Sequence, residues 1–266
     1  MRALRVAVGV VTAAVFALAL TCVAYGLRGL LPSGVVRGLG TFFLRESFNV
    51  FNKAWWVGSP EVVNAILWDY RGLDTVFETS VLFLAIAGCE AVFRLLKPSL
   101  KELRPVVGGY ELTVVVKTVV KLLAIAIVLI SLGTALRGYV TPGGGFQGGA
   151  AFAIAPLLVI AAFSRHYLRE LGFKIPKLSA VRGAGLLAIA LVALAPLAFL
   201  GFALQNQAKP PSPFPGFPVF VGPIFTAGTL LAFNVGELLV VSMEFAIAFI
   251  LVSVAEEVFR RDRGAG

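Results

Sequence analysis

Six runs of mostly apolar residues constrain this chain more than any other feature, because each holds the roughly 20 residues that a helix needs to cross a bilayer core. They lie at about 4–27, 75–96, 113–136, 148–168, 183–204 and 234–258. Composition agrees: 59% of the 266 residues are hydrophobic and 14% are charged, where soluble domains hold about 45–50% and about 25%. No polar stretch reaches the roughly 50 residues of a minimal aqueous domain. The expected fold is all-α, a polytopic membrane protein with six transmembrane helices, multi-pass in the cell membrane with the lipid bilayer as its solvent. The first run, charge-free from Val6 to Tyr25, exceeds the about 7 to 15 residues of a secretion-signal core and reads as a retained helix.

The net charge of +9 gathers in short segments between the runs, so it reports orientation and not a nucleic-acid partner. With six crossings, fourteen Lys and Arg fall on the face that holds both ends and seven on the other, which predicts cytoplasmic N and C termini. An apolar stretch from Pro218 to Phe233 is interrupted by Gly222, Pro223 and Gly228 and reads as a half-helix or interfacial segment; a seventh crossing there would send the basic Arg260 to Arg263 tail outside. Cys22 and Cys89 sit in spans at depths differing by on the order of 15 Å, beyond disulfide reach, and read as core residues. With one histidine, His166, no metal site can be assembled, and no catalytic constellation is evident.

A linker rich in Pro, Gly and charge, Lys97 to Leu112, divides the chain into a two-helix unit, 1–104, and a four-helix unit, 105–266. The loop after the first helix interleaves Phe42, Phe43, Phe48, Phe51, Trp55 and Trp56 with charges, an interfacial composition. Ser59 and Pro60 then signal a short helix whose face holds Val62, Val63, Ile66, Leu67 and Tyr70, with Gly72 at the corner into the second span.

A charge inside the bilayer costs several kcal/mol unless it meets a partner or water, which singles out six residues. Asp69, Asp74 and Glu78 enter the second span with Arg71 beside them, and two readings stand: a self-paired helix entry or an ion site, the deeper Glu78 favouring the latter. Lys121 lies about 12 Å into the third span, a candidate relay group, while Lys117 can snorkel to headgroups. Glu237 and Glu244, seven residues apart, project the same way, with Asn234 and Gly236 able to open the helix and expose carbonyls. Sodium, a proton or burial against a basic neighbour would each suit them. Glu90 with Arg94, Glu256 with Arg260 and Glu257 with Arg261 are i,i+4 pairs near span ends and receive no role. Between the third and fourth spans stands Thr141-Pro142-Gly143-Gly144-Gly145-Phe146-Gln147-Gly148-Gly149. Without a strand before it this is no dinucleotide fingerprint; it is a sharp turn, or the lining of a polar path with Gln147 and free N–H groups.

That motif, followed by AAFAIAPLLVIAAF, resembles the B subunit of Mrp-type sodium/proton antiporters over about Glu111 to the C-terminus. Independently, DYRGLDTVFETSVLF, Asp69 to Phe83, resembles a segment near the end of the large A subunit, which stands as a separate small subunit in archaeal membrane-bound hydrogenases and sulfane-sulfur reductases; this chain has Phe77 where that family often has glycine. The resemblance implies a fused accessory subunit of an Mrp-like module, free-standing or inside a redox-coupled respiratory complex, with Na+ and H+ as transported ions and no cofactor of its own. It ties Asp69, Asp74 and Glu78 to the ion path. Its implied partners are other antiporter subunits and a hydrogenase or sulfur reductase module. The alternative is a passive scaffold of the same complex. An intramembrane hydrolase lacks its motifs.

Overall fold

The computed structural model describes residues 2–25, 35–95 and 112–264, with side chains at 8–25, 35–93 and 112–254. Most of the expected linker lies outside the described residues, as do the side chains of Arg94, Glu256, Glu257, Arg260 and Arg261. Six helices are long and apolar enough to cross a membrane, so the chain is a multi-pass, essentially all-helical membrane protein. Contacts group it into two units, 1–42 and 43–266.

The first unit contains α1 (Arg2–Tyr25) and the start of α2 (Gly38–Glu46). Nothing charged interrupts α1 from Val8 to Tyr25, and its two threonines, Thr12 and Thr21, bond back to the carbonyls four residues earlier. Such back-bonding removes the cost of a bare hydroxyl in lipid.

In the second unit a short helix, α3 (Val62–Ala65), is capped by Glu61 and passes through a π-helical turn, Ile66–Tyr70, into α4 (Gly72–Leu95). Then follow α5 (Val114–Leu136), α6 (Gly145–Ala162), the short α7 (Arg165–Glu170) and α8 (Ile175–Leu194), which tightens into a 3-10 turn over Ala195–Phe199. A small antiparallel hairpin, β1 (Phe220–Val221) and β2 (Ile224–Phe225), leads into α9 (Leu230–Gly264). Within this unit α9 is the central helix: it packs on α6, α8 and α4, while α5 packs on α6. Of its span 61% is buried, against 39% or less for every other span. The starts of α4, α6 and α9 meet the ends of α5 and α8, at what is termed the upper end of the bundle.

Association between helices in lipid lacks a hydrophobic drive and relies on close packing of small residues. The start of α6 does this on two sides. A Cβ on Gly148 would stand 2.7 Å from the Ala135 Cβ of α5, and one on Gly149 would stand 2.7 Å from the Val241 Cβ of α9. Above them an apolar cluster of Val57, Trp68, Tyr139, Ile189, Leu230 and Phe233 closes the upper end, with Trp68 stacked on Phe233 at 4.5 Å. Leu178, Met243, Ala246, Ile247 and Leu251 fill the lower end.

Five expectations change. The fourth span starts at Gly145, not 148: Thr141 to Gly144 make the expected turn, while Gly145, Gly148 and Gly149 belong to the helix and form its packing face. The fifth starts at Ile175 with Pro176 in its first turn, so Arg182 lies inside it. The helix at Asn234 and Gly236 stays closed, since Gly236 is pressed against Ile189 and Gly185 of α8. Residues 218–233 form the hairpin and the first turn of α9, with Gly222 and Pro223 at the tip, instead of a half-helix. Both cysteines are free and exposed on the chain's surface, not core.

Candidate functional site

Two groups of ionisable residues lie on the α9 axis. In the upper one, Glu237 is buried and accepts a hydrogen bond of 2.9 Å from the Phe146 N–H, a free donor in the first turn of α6. The positive end of that helix dipole adds to the attraction. Gly145 makes the approach possible, since a Cβ there would collide with the Asn234 carbonyl and with Glu237 itself. One turn above, the buried amides of Asn234 and Asn64 bond at 2.9 Å, joining α9 to α3. Glu78 of α4 lies within electrostatic reach of Glu237, and the two carboxylates repel. It is exposed on the chain's own surface about 9 Å from the start of α4. Among the described residues it has no cation or hydrogen-bond donor as partner.

The lower group joins three helices. The Arg182 Nη1 of α8 lies 2.9 Å from the Glu90 Oε1 of α4 and 3.2 Å from the Glu244 Oε2 of α9. All three side chains are buried, and the guanidinium also stacks over the Phe83 ring at 4.8 Å. Among the described residues the Glu244 Oε1 and the Arg182 Nε–H have no hydrogen-bond partner. Glu237 and Glu244 are two helical turns, about 10 Å, apart on one face of α9.

The remaining sequence candidates sit elsewhere. Asp69 is buried in the π turn, where it pairs with Lys209 at 2.6 Å and accepts from the Asn206 N–H at 2.8 Å. Burial pushes its carboxyl above the ordinary range, and the Lys209 ammonium and the Asn206 N–H pull the other way. Asn206 in turn donates to the Val57 and Ala227 carbonyls and accepts from Thr229, locking the upper loops. Asp74 pairs with Arg71 at 2.5 Å on the surface, the self-paired helix entry. The Lys121 ammonium lies over the Phe163 ring at 5.4 Å and the side chain is exposed. In the glycine motif, Gly143, Gly144 and Gly145 deliver the Phe146 N–H to Glu237, and the Gln147 carbonyl folds back over Gly144.

Sequence reasoning missed Glu90 and Arg182. The available signal was Ile175-Pro176: a proline belongs in a helix's first turn, which places Arg182 about 10 Å inside the span and in need of a carboxylate.

Six candidate spans among the described residues, with buried carboxylates on the central helix of the second unit, define a class: a multi-pass membrane protein with ionisable groups held inside its helical bundle. The family described as "Domain related to MnhB subunit of Na+/H+ antiporter" matches residues 115–247, half of the chain, and the chain belongs to that family. An uncharacterized protein of Methanocaldococcus jannaschii is 29% identical over 216 residues, covering 76% of this chain and 80% of the relative. Among solved structures, a chain of the archaeal membrane-bound sulfane sulfur reductase, a respiratory membrane complex, is 26% identical with a TM-score of 0.61, over 92% of this chain and 98% of that one. A chain of the Mrp complex from Dietzia sp. DQ12-45-1b shares the fold with a TM-score of 0.62 and 21% identity, over 92% of this chain. The present chain spans only 26% of that longer one.

Proposed function

We propose that the chain is an accessory subunit of an Mrp-like sodium/proton antiporter module within a larger, redox-coupled membrane complex, and that it contributes to Na+ and H+ movement through Glu78 and Glu237. Its partners are other antiporter subunits and a hydrogenase or sulfur reductase module, its termini face the cytoplasm, and residues 1–104 and 105–266 are two fused units. One observation carries the reading. Glu78 projects from the surface of a candidate span without a cation among the described residues, and a carboxylate cannot be left facing lipid. A hydrated path or a neighbouring subunit must cover it, with the N-terminus of α6 and Glu237 just behind.

Glu78→Gln keeps the shape and removes the charge. In vesicles holding the assembled complex it is expected to preserve every subunit and to lower sodium-coupled proton movement at least about tenfold, roughly 1.4 kcal/mol on the barrier. Undiminished transport would take Glu78 out of the path. Loss of subunits on a native gel before any change in transport would favour the scaffold role.

A further inference from the structure

Arg182 divides a single nitrogen between two carboxylates, and that arrangement restricts what else the site can hold. Sodium is a poor occupant: hard cations ask for several oxygens arranged around them, and here a permanently charged guanidinium stands between the acids. A proton needs no coordination space. It also removes the repulsion between Glu90 and Glu244. Glu244 has the free atom, because its Oε2 accepts from Arg182 while its buried Oε1 accepts from nothing among the described residues. We propose that the Glu90–Arg182–Glu244 cluster is a proton-binding site at the lower end of the bundle, with the proton carried on Glu244.

The step is simple to balance. The Glu244 carboxylate takes one proton, one O–H bond forms, none breaks, and Arg182 keeps its charge and turns towards Glu90. Among the described residues, no ionisable side chain other than Arg182 bonds to Glu244. The α6 helix has none from Gly145 to Ala162, Lys177 of α8 is exposed, and Lys117 and Lys121 of α5 make no bond with it. Glu78 stands about 18 Å further up α4. The site also crosses the chain's organisation, since Arg182 and Glu244 fall within the MnhB-related match and Glu90 precedes it. It stands whether or not sodium passes near Glu78.

Infrared difference spectroscopy of the intact complex, stepped through the pH range in which it stays assembled, tests this. The expected result is a carboxylic-acid C=O band that shifts in D2O and is lost in Glu244→Gln. In Glu90→Gln the band should persist at a lower frequency, because a neutral amide competes less for Arg182 than a carboxylate and leaves Glu244 the stronger bond. A purely structural salt bridge would produce no such band. Absence of the band at every pH, or an unchanged band in Glu244→Gln, overturns the proposal. If Glu244→Gln does not assemble, Glu244→Asp decides: a displaced band supports the site and an unmoved one overturns it. Vesicle transport by Glu78→Gln reads the antiporter assignment separately, so the two can fail independently.

Discussion

Asp69 shows how one buried residue makes stability depend on pH. Its carboxyl is held above the ordinary 3.8 chiefly by burial, against the pull of Lys209. The native chain therefore keeps a proton that the unfolded chain has already lost. Its contribution is complete below 3.8 and is lost as pH rises through the raised native value, so stability falls across that window and is level above it. Thermal unfolding of the detergent-solubilised chain across acidic pH should follow this slope, and Asp69→Asn should remove it. Lys209→Met should extend the slope to higher pH, since nothing then opposes burial except the Asn206 N–H. None of this was visible in the sequence, where Asp69 stood beside Arg71 and Asp74, because its true partner is 140 residues away. The Asn64 to Asn234 bond, 170 residues apart, was hidden for the same reason.

Elements were legible where apolar length decides them and misplaced where one residue type contradicts its usual meaning. All six spans could be read because crossing lipid demands a run that few other structures need. Arg182 drove the start of the expected fifth span eight residues too far, since a charge was taken as a boundary when a pair of carboxylates waits for it inside. Glycines at 145, 148 and 149 looked like a turn, yet they are the helix face that lets α6 lie between α5 and α9. A paired substitution checks that account. Gly148→Ala puts a methyl 2.7 Å from both the Ala135 Cβ and the Ser131 carbonyl, and overpacking of this kind costs about 1–3 kcal/mol. Gly133→Ala in α5 meets nothing within 4 Å, and removing a helical glycine gains up to about 1 kcal/mol. Unfolding midpoints should therefore move in opposite directions, and equal shifts would mean that the glycines serve flexibility and not packing.

For the molecule as a whole, the number of crossings and the direction of crossing rest on different physics. If all six candidate spans among the described residues cross the bilayer, both ends lie on one side of it by parity alone. Which side depends on where Lys and Arg collect, and the fold alters that count. Arg182 is buried in α8 and no longer belongs to a loop, so thirteen cations remain on the face with the termini against seven on the other. The bias survives. In the proposed orientation the Asp69, Asn206 and Glu237 end faces outside and the Glu90–Arg182–Glu244 end faces the cytoplasm, so that the proposed proton site would equilibrate with the cytoplasmic side. Reporter fusions test this directly. A phosphatase, active only outside, should be silent at either terminus and active when inserted in the Ser212 to Phe214 loop between α8 and the hairpin. An active phosphatase at the C-terminus would reverse the orientation and move the buried triad to the outer half of the bilayer, leaving its chemistry intact but exchanging the side from which its proton must come.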